Sequence, residues 1–300
     1  MASDPPTVFP PEVIYIGLQK TGSTFLRGYF YSHPQVRCTR HGKFFLGDEA
    51  DVGARGADAV RAGYAAHFAD DGGKPCRIDM YEALGMGYLL HGLPDWDASV
   101  FVQPGATLAE GPVESVPAGV AARIAAAVPD ARILITVREQ GAWIDSNYRH
   151  FFEQMPAVRN GLRDFLGTRE GQLVLDAAMF DRLVAIYDGL FGRERVYVLP
   201  MELIERDEPR ALARLCEFLG IACTPYRDED RNYNRGRPLD ALRAATRRPR
   251  SRLAAWWRPK AAAGTGEAAD LDLLRAVYRA SNTRLAARIG LDLRGLGYWC

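Results

Sequence analysis

The sequence predicts an α/β fold, a P-loop-like parallel sheet flanked by helices on both faces. Three observations predict it. Three short apolar, β-branched runs, at residues 13–16, 132–137 and 195–199, read as strands buried on both sides. Helical periodicity follows each of them, over residues 23–32, 142–154 and 209–219, and strands alternating with helices indicate parallel pairing. The first run opens at once into a glycine-bearing turn and a helix, the layout of an anion-binding loop.

The remaining elements follow in order. Residues 118–128 supply a helix ahead of the second strand, and a weaker strand is expected at 77–80. Residues 222–259 are rich in Arg, Pro and Asp with little periodicity. They read as the body of a long excursion, spanning about 222–266, around the core. Helical spacing returns over 271–289, so a C-terminal helix at about 270–289 is expected to pack back on the fold. Nothing marks a boundary, and residues 1–300 are read as one domain.

Composition narrows the function. Lys plus Arg number 38 against 37 Asp plus Glu, so no global field points to nucleic acid or to a membrane surface. Any anion site must be local. The five cysteines are scattered and never spaced Cys-x-x-Cys, which argues against a disulfide framework or a zinc site and fits a reducing cytoplasm. Residues 1–11 lack the pattern of a signal peptide, and no run reaches the ~18 apolar residues of a membrane helix. Abundant Ala, Arg and Gly suggest a bacterial source. Membrane contact by the basic run at 247–260, with Trp256 and Trp257, is the less favoured reading beside inward packing of the two tryptophans.

The strongest local signal is Gly17-Leu18-Gln19-Lys20-Thr21-Gly22-Ser23-Thr24. Gly17 and Gly22 have Walker A spacing, but the lysine that should follow the second glycine is replaced by Ser23. The lysine stands inside the loop, at Lys20. A nucleoside-triphosphate enzyme needs the Walker lysine on its phosphates and a strand-end Asp to hold metal, and the ends of the second and third strong strands offer Arg138 and Pro200 instead.

Gln19-Lys20-Thr21-Gly22-Ser23-Thr24 after a strand resembles the 5′-phosphosulfate loop of sulfotransferases that use 3′-phosphoadenosine 5′-phosphosulfate (PAPS), most closely the bacterial and carbohydrate-type branch. The resemblance implies that this loop, from Gln19 to Thr24, binds the nucleotide, and that Lys20 stabilises charge on the leaving phosphate. It also implies that Arg138 and Ser146, a strand-end Arg with a helical Ser eight positions on, grip the 3′-phosphate. Alone, that pair is a surface ion pair and an exposed serine as readily as a site. Asn234-Arg235-Gly236-Arg237 resembles the family's late loop, with Arg235 and Gly236 closing over the same phosphate.

In relatives a glutamate before x-x-Phe-Phe takes the acceptor's proton. Here Arg40-His41-Gly42-Lys43-Phe44-Phe45 puts His41 in that place, a residue whose ordinary pKa near ~6.5 suits a general base. Asp79 or Glu82 is the alternative. Residues 197–203 and 209–220 resemble the family's late strand, acidic turn and helix ending in Phe-Leu-Gly, and His33 matches a structural turn after the first helix. The implied activity is sulfuryl transfer from PAPS to a hydroxyl or amine of a small molecule or glycan, without metal. A P-loop kinase using Mg·ATP, or a non-catalytic nucleotide binder, stands as the alternative. Acceptor identity and oligomeric state are not legible.

Overall fold

The computed structural model describes residues 11–18, 20–39, 56–69, 72–80, 115–147, 166–167, 169–226 and 265–300. In chain order they form β1 (Val13–Tyr15), α1 (Ser23–Ser32), β2 (Val36–Cys38), α2 (Ala57–Phe68), β3 (Cys76–Asp79), α3 (Ser115–Ala127), β4 (Arg132–Val137) and α4 (Gln140–Asn147). Then come α5 (Arg169–Ala177), α6 (Phe180–Phe191), β5 (Val196–Pro200), α7 (Met201–Arg206), α8 (Glu208–Leu219) and α9 (Thr265–Ile289). All pairings are parallel, in the order β2-β3-β1-β4-β5. The predicted parallel sheet flanked by helices is therefore the fold observed.

The apolar runs are strands because both of their faces are covered. Ile14, Ile133, Ile135, Val137, Val196 and Val198 enter one core with side chains of α2, α3, α6 and α9. Val13, Tyr15, Leu134, Leu199 and Ile78 enter the other with α1, α7 and α8. Successive side chains of a strand point to opposite faces, so a doubly covered strand must be apolar throughout.

α1 spans the predicted residues, and α8 starts one residue early behind Asp207, which accepts the Arg210 N–H at 3.2 Å. α8 ends on Gly220 in the left-handed region (φ 67), where Gly220 and Ile221 donate back to Glu217 and Cys216. The sequence did not reveal β2, α2, α5 or α6, and α7 stands where an acidic turn was expected. β2 is only three residues long, with Arg37 exposed between Val36 and Cys38, too short to show a period. Most of the predicted excursion, and of the predicted extension of α4 to residue 154, lies outside the described residues.

α9 begins ahead of its predicted start, and Leu274, Tyr278 and Leu285 enter the first core. Arg284 pairs with Asp181 at 2.7 Å and Arg288 with Asp188, both partners lying on α6, while Arg288 also donates to the Val196 carbonyl at 3.2 Å. Because every strand is parallel, all five carboxyl ends share one edge. That edge is where open α/β sheets take ligands.

Candidate functional site

The five strand ends deliver Lys20 after β1, Thr39 after β2, Asp79 on β3, Arg138 after β4 and Met201 with Glu202 after β5. Between β1 and α1 the chain makes a tight loop held by a file of hydroxyls. Thr21 Oγ1 donates to the Leu18 carbonyl and lies 2.7 Å from Thr136 Oγ1, which lies 2.8 Å from the Tyr15 hydroxyl. With the Thr21 proton used on Leu18, Thr136 must donate to Thr21 and Tyr15 to Thr136. Burial pushes the Tyr15 phenol up to about 12, which keeps it a donor.

Two glycines of this loop are needed for different reasons. A Cβ on Gly17 would run into the buried Tyr15 ring, whereas Gly22 sits at φ 96, a conformation that favours glycine. Lys20 is at φ 64, the left-handed region that an L side chain enters at a cost of about 1 kcal/mol. Among the described residues it is the only non-glycine with positive φ.

No side chain caps the N-terminus of α1, and no acidic residue stands in its first turn. The N–H groups of that turn, with the positive end of the helix dipole, are thus free of a competing carboxylate. α4 is the opposite case. Its first N–H groups, of Gly141 and Ala142, donate to the Glu139 carboxylate at 2.9 and 2.8 Å. Those two N–H groups are thus engaged within the chain, and Arg138, just before α4, and Ser146, within it, are both half-buried.

Lys20 and Arg138, one residue from each predicted anion site, are brought together. Arg138 Nη1 donates to the Lys20 carbonyl at 3.2 Å, so the strand-end guanidinium braces the loop that carries the lysine. Burial, and then the Arg138 charge, hold the Lys20 ammonium below its ordinary pKa. Two cations converge at one edge of the sheet. Of the other predicted contacts, Thr24 is exposed at the start of α1, Ser23 is buried, and the Thr21 side chain is fully buried and committed to the hydroxyl file. Gln19, His41, Glu82, Arg235 and Gly236 lie outside the described residues.

Over residues 11–225, most of the chain, the sequence matches the sulfotransferase family. This chain belongs to the sulfotransferase family. Among solved structures, a sulfotransferase from Alicyclobacillus acidocaldarius shares the fold with a TM-score of 0.58 at 19% identity, over 96% of this chain and 99% of that one. The sulfotransferase STF9 from Mycobacterium avium covers 91% of this chain and 77% of its own at 14% identity, with a TM-score of 0.39. None of the curated protein sequences matches significantly.

In this sulfotransferase-family chain β3, the weaker strand expected at 77–80, adds a strand end that was not weighed against a triphosphate enzyme. Asp79 lies beside β1, paired in register with Ile14, where a metal-holding Asp of a triphosphate enzyme would also stand. It is fully buried and accepts from Thr39 Oγ1 at 2.8 Å and from the Tyr64 hydroxyl of α2. Its carboxylate thus turns toward α2, on the sheet face opposite α1. The same engagement weakens it as an alternative base. Among the described residues no three His, Cys, Asp or Glu side chains gather as a metal would require, and no helix is long and apolar enough to cross a membrane.

His33 has the structural place expected of it. Its Nδ1 accepts from the Gln35 N–H at 3.1 Å, so Nε2 carries the proton and donates to the Ala222 carbonyl at 2.9 Å. Burial lowers its pKa, favouring the neutral ring. Tyr226, the last described residue before the predicted Arg235 loop, packs edge-on against Phe25 and Tyr29 of α1.

Proposed function

We propose that this chain transfers a sulfuryl group from PAPS to a hydroxyl or amine of a small molecule or glycan by direct in-line displacement. One observation carries the reading. An uncapped helix N-terminus and a lysine held in the left-handed region are joined by a 3.2 Å hydrogen bond to a strand-end arginine, two cationic points suited to the two anionic ends of one nucleotide.

In the reaction the acceptor's oxygen or nitrogen forms a bond to sulfur as the bond from sulfur to the bridging phosphate oxygen breaks. The acceptor's proton goes to His41, and 3′,5′-diphosphoadenosine leaves. Lys20 and the first N–H groups of α1 meet the charge that grows on the departing phosphate. Arg138 and Ser146 hold the 3′-phosphate, with Arg235 and Gly236 closing over it. Arginine suits that role because its charge is permanent and its donors form a fixed fork. The engagement of Asp79 by Thr39 and Tyr64 favours His41 as base and disfavours a metal-dependent kinase.

The test is a thermal shift followed by turnover. The protein should be stabilised by 3′,5′-diphosphoadenosine in the presence of EDTA, and should pass label from PAPS to an acceptor in an extract or panel. Stabilisation by Mg·ATP alone would sink the reading in favour of a kinase. Binding of the diphosphate with no transfer to any acceptor would make the chain a binder. His41→Ala should lower turnover by about 10²–10⁴ and leave nucleotide binding intact.

A further inference from the structure

The turn from β4 to α4, which carries Arg138, is gripped from behind by residues far away in the chain. The Glu139 N–H donates to Glu202 Oε1 at 2.8 Å, and the Tyr298 hydroxyl donates to Glu202 Oε2 at 2.8 Å. Beside them Gln140, fully buried, forms a two-way amide pair with the equally buried Asn282, at 2.6 and 3.1 Å. Asn282 also donates to the Trp299 carbonyl at 2.8 Å. Consecutive residues, 139 and 140, are thereby fixed by β5's exit, α9 and residues 298–299.

This frame is a poor choice for stability alone. Burial raises the pKa of both Glu139 and Glu202, which marks a cost of holding two half-buried carboxylates partly out of water, with only neutral donors on Glu202. Apolar side chains of similar size would often be as stable or more so. A fully paired polar frame adds directional geometry, because it allows one arrangement of the turn where apolar packing tolerates several.

The loop and the turn meet through Arg138 and the Lys20 carbonyl, and beyond that bond their side-chain supports differ. Tyr15, Thr136 and Thr21 hold the Lys20 loop, while Glu202, Tyr298, Gln140 and Asn282 hold the Arg138 turn. We propose that Tyr298 and Asn282 are positioning residues for the nucleotide's 3′-phosphate, acting through Glu202 and Gln140 on the turn that presents Arg138. This rests on the reading of the chain as a PAPS-binding transferase.

The experiment compares calorimetric binding of 3′,5′-diphosphoadenosine with that of AMP, which lacks the 3′-phosphate. Tyr298→Phe keeps the ring and removes the hydroxyl. It should weaken the diphosphate about tenfold, the worth of one well-placed hydrogen bond, and shift AMP by less than about twofold. In an Arg138→Ala background the same change should alter neither ligand. Leu293→Ala, a buried apolar change in the same segment, should lower Tm and leave the preference for the 3′-phosphate unaltered.

An unchanged preference in Tyr298→Phe, equal weakening of both ligands, or an equal loss of preference in Leu293→Ala would overturn the positioning role. Should Tyr298→Phe fail to fold, Asn282→Ala probes the turn through Gln140 with the same expected outcomes. A wild-type protein that does not prefer the diphosphate over AMP would instead bring down the PAPS reading, and this inference with it.

Discussion

Arg138 and Lys20, 118 positions apart in sequence, are joined by a 3.2 Å hydrogen bond from the guanidinium of one to the backbone carbonyl of the other. The bond uses the carbonyl and leaves the ammonium to meet a ligand. It also ties the Arg138 guanidinium to the backbone that carries Lys20, which on the proposed reading would limit the ordering cost of binding a nucleotide.

The left-handed backbone of Lys20 separates stability from catalysis. Lys20→Gly should melt no lower than wild type, because glycine accepts this φ without steric cost, yet lose about 10²–10³ in turnover. Lys20→Ala should lose turnover alike without the conformational relief. Calorimetric Tm values and initial rates at saturating PAPS decide it, and a glycine variant with wild-type turnover would contradict the role given to the side chain.

Thr136→Val breaks the hydroxyl file in its middle. The Tyr15 hydroxyl, fully buried, would lose its acceptor, which should destabilise the protein by about 1–3 kcal/mol in chemical denaturation. Thr136→Ser should recover most of that loss. Equal stability of the valine and serine variants would mean that the file contributes only packing.

Two glycine substitutions should have opposite signs. Gly17→Ala forces the Tyr15 ring off Thr136 and should cost at least about 2 kcal/mol. Gly119→Ala, on the exposed side of α3 with open space around the added methyl, should gain about 0.5–1 kcal/mol. Paired denaturation curves suffice, and a tolerated Gly17→Ala would show that the ring is not held.

The pH dependence has a defined sign. The free protein holds Lys20 below its ordinary value of 10.5, by burial first and Arg138 second. An anionic ligand raises that pKa again, so the complex binds more protons than the free protein above the depressed value. Affinity for 3′,5′-diphosphoadenosine should therefore be flat near neutrality and weaken as pH climbs through the depressed pKa. Stability of the free protein should rise over the window from that pKa up to 10.5, where the unfolded chain carries more protons on this group. Lys20→Arg should flatten the binding profile, as titration calorimetry from neutrality to about pH 10 will show. A profile that persists in Lys20→Arg would assign the proton to another group.

Legibility in the sequence followed the range of the forces involved. α1 was visible to the residue because its apolar spacing and the His33-Pro34 stop are local, and β4 because a doubly covered strand is apolar at every position. β2 carried no period in three residues, and α6 no motif. In the site, Lys20 stood out by its place inside a loop of Walker spacing, whereas Arg138 and Ser146 were named through the resemblance to the sulfotransferase family. Glu139, Gln140, Glu202, Asn282 and Tyr298 could not be joined in one frame, since no local pattern says which distant polar residues share a hydrogen bond. An acidic residue just beyond a strand end, as at Glu139 and Glu202, was the available hint.

By itself the sequence determined the α/β class, β1, β4 and β5, the helices α1, α3, α4, α8 and α9, and which of their side chains are apolar enough to be buried, because short-range sterics and hydrophobic period act within a few residues. Only the tertiary structure decided that β4 lies beside β1, bringing Arg138 to Lys20, that Asp79 turns toward α2, and that Tyr298 reaches Glu202. Those contacts depend on strand order and on which sheet face each helix covers. Both are set by the packing of the whole core, and no segment of the chain contains them alone.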